Sequence, residues 1–392
     1  MKKSLVVVLA LIIVPIAILF FLWRAGVFSA APPSPTPATS SSFVAPKDLV
    51  ASMAAGVEAM KKLQKPDGGW GTQINEESDP AITSIVLKGL AQAGVKPEQE
   101  PWMQKGIDNL LSFQHADGSI FGKSYQVYVT AIAVSLFCKL DPQRTKYGPV
   151  IEKGKNYLMG VQYRKGDPRM TDPAYEGGIS YSDENKPPNL STTEFALQAL
   201  YDAGVPKDSE AFKLAAKFVS RCQNRSESND LPGKVRLLDD GGFFYAPGDS
   251  RGEKTDNPDG TMTLRSYGSM TYAGMLSLMY CHLTADDPRI KSAIEWVSKN
   301  YNFEVNPGMP LEMQGYFYYL NVMAKTVATG KLTQLPDGKP IMEDLKTIIM
   351  KRQLPDGTWV NNKEERWLEG NPTLSTAYML EALGLLKETG AK

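Results

Sequence analysis

The chain has 392 residues, 42% hydrophobic and 22% charged, so it can build a packed core and is not globally disordered. Forty-three Lys and Arg balance 43 Asp and Glu; the basic footprint of a nucleic-acid binder is missing, and no nucleic-acid partner is expected. Two histidines, His115 and His282, and three cysteines, Cys138, Cys222 and Cys281, give no disulfide framework and little from which to assemble a zinc site, so no metal or cofactor is expected.

In chain order, Lys2 and Lys3 precede an apolar run from Leu5 to Trp23. At about 1.5 Å per residue this is about 28 Å of helix, enough to cross a hydrocarbon core. The run is long for the apolar region of a signal peptide. Residues 1–24 therefore read as an uncleaved transmembrane signal anchor, with the membrane as partner and the body extracytoplasmic, in the cell envelope. The competing reading is a signal cleaved near Val27-Phe28-Ser29, which would leave the body secreted. Residues 25–45 hold Pro32, Pro33, Pro35 and Pro37 among Ser and Thr, the composition of a semi-extended linker. The three cysteines fall in apolar, helix-like segments and read as buried thiols.

The body, residues 46–392, repeats one unit six times. Gln64-Lys65-Pro66-Asp67-Gly68-Gly69-Trp70 and Gln353-Leu354-Pro355-Asp356-Gly357-Thr358-Trp359 share the pattern Q-x-x-D-G-x-W, and Gln114 to Ile120 is a third copy. Gln162 and Gln223 lead more slowly to Gly177-Gly178-Ile179 and Gly241-Gly242-Phe243, and Tyr301 stands where the fifth Gln is expected. Each motif closes an amphipathic helix of about three turns with a Pro-Asp-Gly-type turn. A second, nearly all-apolar helix follows, anchored at Thr83, Thr130, Thr193, Thr271, Tyr318 or Thr376. Lysine-bearing outer helices and apolar inner helices predict an all-α (α/α)6 toroid, with a linear solenoid as the structural alternative.

The run K/R-G/A-x-x-aromatic-aliphatic-x-x-x-Q-x-x-x-G-x-W resembles the repeat of squalene and oxidosqualene cyclases and of protein prenyltransferase β-subunits. Lys153 to Gln162 matches its first half, and the resemblance covers about residues 50–388. It implies an α/α toroid with a pocket where the inner helices begin. It does not carry the activity over. The acid cluster D-x-D-D of hopene-type cyclases is absent; Asp286-Asp287 precedes Pro288 in a turn, and Asp239-Asp240 lies in a loop. The Asp-x-Cys of the zinc prenyltransferases has its nearest counterpart in Asp240-Gly241-Gly242, and Cys281-His282 are adjacent and poorly placed to share a metal. The thioester Cys-Gly-Glu-Gln found on similar toroids is absent too.

The expected site is therefore the mouth. Candidate ligand-binding residues there are Tyr125, Tyr128, Thr193, Arg265, Tyr267, Tyr272, Gln314, Tyr318, Tyr319 and Tyr378; Asp79 and Glu194 are weak candidates for a catalytic acid. Helix capping accounts for part of this polarity and core filling for part of the aromatics. The longest insertion, roughly 225–265, separates Gln223 from Thr271 by 48 residues, against 19 from Gln64 to Thr83; a loop of that length in a compact domain points to function. The first reading is a terpenoid cyclase/prenyltransferase-like toroid that lacks that chemistry and binds a lipid, glycan or protein at its mouth. The alternatives are an enzyme of transferase or cyclase type acting on an isoprenoid or other apolar substrate, and a polysaccharide lyase using Arg265.

Overall fold

The computed structural model describes residues 48–390, except 73–76, 183, 185 and 232. The expected anchor over 1–24 and the linker over 25–45 lie outside the described residues, among which no helix is long and apolar enough to cross a membrane. Outer helices are α1 (Leu49–Lys62), α3 (Pro101–Leu111), α5 (Gly148–Val161), α7 (Glu210–Arg221), α9 (Pro288–Lys299) and α11 (Ile341–Lys351). They alternate with inner helices α2 (Pro80–Gln92), α4 (Gln126–Leu140), α6 (Leu190–Asp202), α8 (Gly268–Tyr280), α10 (Tyr316–Gly330) and α12 (Pro372–Gly390). Each inner helix packs on the next, and α12 packs back on α2, so the ring closes. Closure excludes the linear solenoid.

Periodicity explains the two layers. Helix α3 buries Met103, Gly106, Ile107 and Leu110, one stripe at steps of three and four, whereas α2 is buried continuously from Ile82 to Ala91. Each fully buried Leu, Ile or Met contributes on the order of 1.5–3 kcal/mol. The thiols of Cys138, Cys222 and Cys281 are free and buried in this core.

The repeated Gln is a double staple. Gln64 Nε2 donates to Gly68 O in its own turn and to Trp102 O on the next outer helix, both at 2.7 Å. Gln162 spans Gly177 O and Ala211 O, and Gln223 spans Gly241 O and Arg289 O. Gln353 spans Gly357 O and Ser52 O, joining the last repeat to the first. Gln114 departs from this: its Nε2 is buried without a partner. In the fifth repeat the Tyr301 hydroxyl reaches Asp344 on α11 at 2.8 Å and replaces the Gln contact.

The motif Trp and the motif Gly are one device. The indole N–H of Trp70 donates to Met60 O at 2.8 Å, and its ring fills the space over Gly106, where a Cβ would lie 2.7 Å from Cζ3. Trp359 lies over Gly56 of the first repeat in the same way, at 3.1 Å. The inner-helix Thr then holds the turn: Thr83, Thr130, Thr193, Thr271 and Thr376 each accept the backbone N–H at the Trp place, from 2.8 to 3.1 Å. On α10 the anchoring hydroxyl is that of Tyr319, which donates to Asn302 O at 2.7 Å. The expectation of Tyr318 as anchor was one residue early: Tyr319 makes the loop contact and Tyr318 lines the cavity, and adjacent tyrosines carry no signal of which does which.

The all-α expectation needs one correction. The insertion between α7 and α8 forms a three-stranded sheet of β1 (Val235–Arg236), β2 (Lys254–Asp256) and β3 (Met262–Leu264), in the order β1-β3-β2. Strand β3 runs antiparallel to β2 and parallel to β1. The run Asp256 to Gly260 is the β2–β3 turn: Asn257 and Thr261 pair at 2.8 Å, and Asp259 accepts the Thr261 N–H. A long excursion must pair its own backbone amides, and short strands do so.

Candidate functional site

The amino-terminal ends of the inner helices surround a cavity of about 440 Å³. Tyr125, Tyr128, Tyr267, Tyr318 and Tyr378, all expected at the mouth, line it. Phe195 forms its floor, with the Tyr128 ring edge-on at 4.9 Å and the Tyr318 ring stacked at 6.5 Å. Tyr181 and Tyr378 continue the wall at 5.9 Å from Tyr128 and 6.2 Å from Tyr318. Burial pushes the phenols of Tyr128, Tyr267, Tyr318 and Tyr378 well up, so they stay neutral at every physiological pH. Ile82, Ile85, Met270 and Leu374 complete a mainly apolar lining.

The other candidates lie elsewhere. The Thr193 hydroxyl is used on the Ile179 backbone. Arg265 is exposed and pairs with Glu253 at 3.4 Å. Tyr272 and Tyr319 pack on each other at 5.8 Å, buried between α8 and α10. Gln314 is buried in the loop before α10 with its Oε1 unpartnered. Asp79 is the N-cap of α2, accepting the Ala81 and Ile82 amides at 2.8 and 3.2 Å.

Glu194 is not at the mouth. It sits a full turn into α6, completely buried, and accepts from Lys325 Nζ of α10 at 2.6 Å. Helices α6 and α10 are not neighbours in the ring, so this ion pair crosses the barrel interior. Lys88 Nζ of α2 is 3.0 Å from Glu381 of α12 and 2.8 Å from Gln198 Oε1 of α6. Both ammoniums lie under Phe195, 4.5 Å (Lys325) and 5.7 Å (Lys88) from its ring centre. Below them opens a second cavity of about 340 Å³ lined by Lys88, Lys325, Asp202 and Glu381. Burial pushes the Asp202 carboxyl up to about 6 against the opposing pull of Lys88, and burial pulls the Lys325 ammonium down.

Sequence reasoning missed several mouth residues. Tyr181 and Tyr245 each stand two residues after the Trp place, Ile179 and Phe243, and an extended two-residue step returns a side chain to the same side. That offset was the available signal. Glu369 had none. It caps α10 from 51 residues away, one carboxylate oxygen accepting the Tyr318 N–H at 2.8 Å and the other Asn361 Nδ2 at 2.9 Å. It lines the mouth almost fully buried, and burial pushes it up to about 7 despite those donors. Trp367 and Leu368, just before it, are about half exposed at the cavity edge and hold positive φ of 59° and 66°. Tyr125 across the mouth also has a positive φ, 63°. Left-handed backbone costs a non-glycine residue about 1–2 kcal/mol, and three of the eight such residues among those described line this cavity. Among the described residues, no group of three or more His, Cys, Asp and Glu could hold a metal ion.

Comparison with known proteins bears on the fold. No family model matches the chain. Over 206 residues it is 26% identical to a probable squalene–hopene cyclase of Sinorhizobium fredii; the match takes in 47% of this chain and 31% of that protein. A type II terpene cyclase from Scytonema superposes with a TM-score of 0.53 at 13% identity, covering 88% of this chain and 98% of the other. That cyclase has been solved with geranylgeranyl dihydroxybenzoate as its substrate. A novel alpha-amylase from Clostridium perfringens gives a TM-score of 0.55 at 10% identity, covering 87% and 99%. The chain has the terpene cyclase-like α/α-toroid repeat expected from its motifs, and the same toroid also carries glycan chemistry.

Proposed function

We propose that this chain is a ligand-binding toroid that holds an apolar, isoprenoid-like molecule in its mouth, tethered to the outer side of a membrane by its amino-terminal apolar run. The observation that carries this reading is the lining: neutral tyrosines, Phe195, two isoleucines, Met270 and Leu374 around about 440 Å³. Such a wall favours an apolar body and lets hydroxyls orient a few polar atoms. It speaks against a glycan hydrolase, which uses two carboxyl groups about 5–9.5 Å apart; among the described lining residues Glu369 is the one carboxylate. Arg265 is not among the residues lining this cavity and pairs with Glu253, which removes the support for a lyase.

The test is native mass spectrometry of the full-length protein extracted from its own membranes in a mild detergent. A co-purifying apolar mass that is lost in Tyr318→Ala supports the reading. A bare chain, with added isoprenoid alcohols also failing to bind, overturns it. One observation favours turnover as a second reading: Glu369, held near neutrality at about 7, could donate a proton inside an aromatic cavity. Product formation from an added isoprenoid by the wild type, absent in a folded Glu369→Gln, would establish it.

A further inference from the structure

Arg251 is the one cation that lines the mouth among the described residues, and it comes from the long insertion rather than from a repeat. Its guanidinium lies over the Tyr245 ring at 4.5 Å, which fixes the direction of the fork. Its carboxylate partner, Asp249, is 3.4 Å away, and both side chains are close to half exposed. An exposed pair of this kind is worth little and exchanges readily for a better acceptor. Apart from the phenols, other polar lining residues are already committed: Ser191 shares a hydrogen bond with the Tyr318 hydroxyl, Ser269 Oγ accepts from Asn306, and Glu369 caps α10. The inner-helix amino termini, which carry partial positive charge, converge on the same opening.

From this placement we infer that Arg251 selects ligands with an acidic head, a carboxylate or a phosphate, on an apolar chain. The inference rests on the reading of the mouth given above and adds the head group to it. The chain lies against Phe195 and the tyrosines. The head stays at the rim, where the planar guanidinium donates two parallel N–H bonds to two anionic oxygens and Asp249 is displaced. The insertion thereby acts as a specificity element, which explains why only the fourth repeat carries it.

The experiment titrates dodecanoic acid, dodecyl phosphate and dodecanol into the full-length protein by calorimetry, in a fixed non-ionic detergent background and below their aggregation concentrations. The acid and the phosphate are expected to bind at least about fivefold more tightly than the alcohol. Arg251→Ala should bring them to the level of the alcohol, and Arg251→Lys should retain part of the preference. Asp249→Asn, which frees the guanidinium without touching it, should raise affinity for the acidic probes about threefold. A larger gain for phosphate than for carboxylate, or the reverse, identifies which acidic head is read. Equal binding of acid and alcohol by the wild type overturns the head-group inference and leaves the apolar mouth standing, as does a preference that survives Arg251→Ala. Failure of all three probes overturns the reading of the mouth itself.

Discussion

The two ends of the barrel are lined by the same six inner helices and have opposite chemistry. The mouth is walled by neutral phenols and aliphatic side chains; the far end holds Lys88, Lys325, Glu194 and Glu381 as buried ion pairs. Phe195 is the boundary, with Tyr128 and Tyr318 on one side and two ammonium groups on the other. A buried ion pair has demanding geometry and few acceptable rearrangements, so Glu194–Lys325 fixes two helices that are not neighbours in the ring, and Lys88–Glu381 fixes the pair that closes it. A wall of rings is more permissive and can give space to a guest. One end sets the position of the helices, and the other uses it.

The largest effect should come from breaking the far end. Lys325→Ala leaves Glu194 buried and unpaired and is expected to destabilise the fold by about 3–5 kcal/mol in chemical denaturation. The double substitution Lys325→Met with Glu194→Met should recover most of that loss. If the single substitution costs under about 1 kcal/mol, the far end is not the brace. Phe195→Ala comes next, at about 3 kcal/mol. It also joins the two cavities, so an apolar probe bound at the mouth should weaken while solvent exchange at Lys325 rises.

pH separates the ends more gently. Glu369 and Asp202 have folded-state pKa values of about 7 and about 6, raised from 4.5 and 3.8. The folded protein therefore holds more protons than the unfolded chain across this window. Their stabilising contribution is complete below about pH 4 and is lost as pH rises through 6 and 7, by up to about 1.4 kcal/mol per pH unit for each group. Denaturation midpoints of Glu369→Gln and Asp202→Asn, compared with wild type from pH 4 to 8, should each flatten this slope. A wild-type slope that survives both substitutions would show that other groups carry it. The smallest effect belongs to Tyr128→Phe. It keeps the ring packed on Phe195, so stability should fall by no more than about 1 kcal/mol, while Tyr128→Ala should abolish ligand binding in the same native mass spectra.

The repeat was legible because each of its parts is local. Gln64, Gly68 and Trp70 lie within one turn, and the Thr83 partner follows near the start of the next apolar helix, as its counterparts do in the other repeats. What the Gln does for the next repeat was not legible, since Trp102 O lies 38 residues away and every backbone has a carbonyl. Tyr128, Tyr267 and Tyr378 reach the mouth as expected because the start of an inner helix points there. Glu194 was misplaced because the partner that holds it in the interior, Lys325, is 131 residues away, and Glu369 was invisible because its cap joins a loop to the start of a helix 51 residues earlier.

By itself the sequence determined the helix pairs, their number and the neutral aromatic character of the mouth, since periodicity and turn chemistry act over a few residues. The tertiary structure decided which tyrosine of an adjacent pair faces the cavity, which carboxylates are caps or ion pairs, and that the insertion brings Arg251 to the rim. Those outcomes depend on closing the ring, and only the closed ring sets a side chain of one repeat against a backbone amide or ammonium group of another.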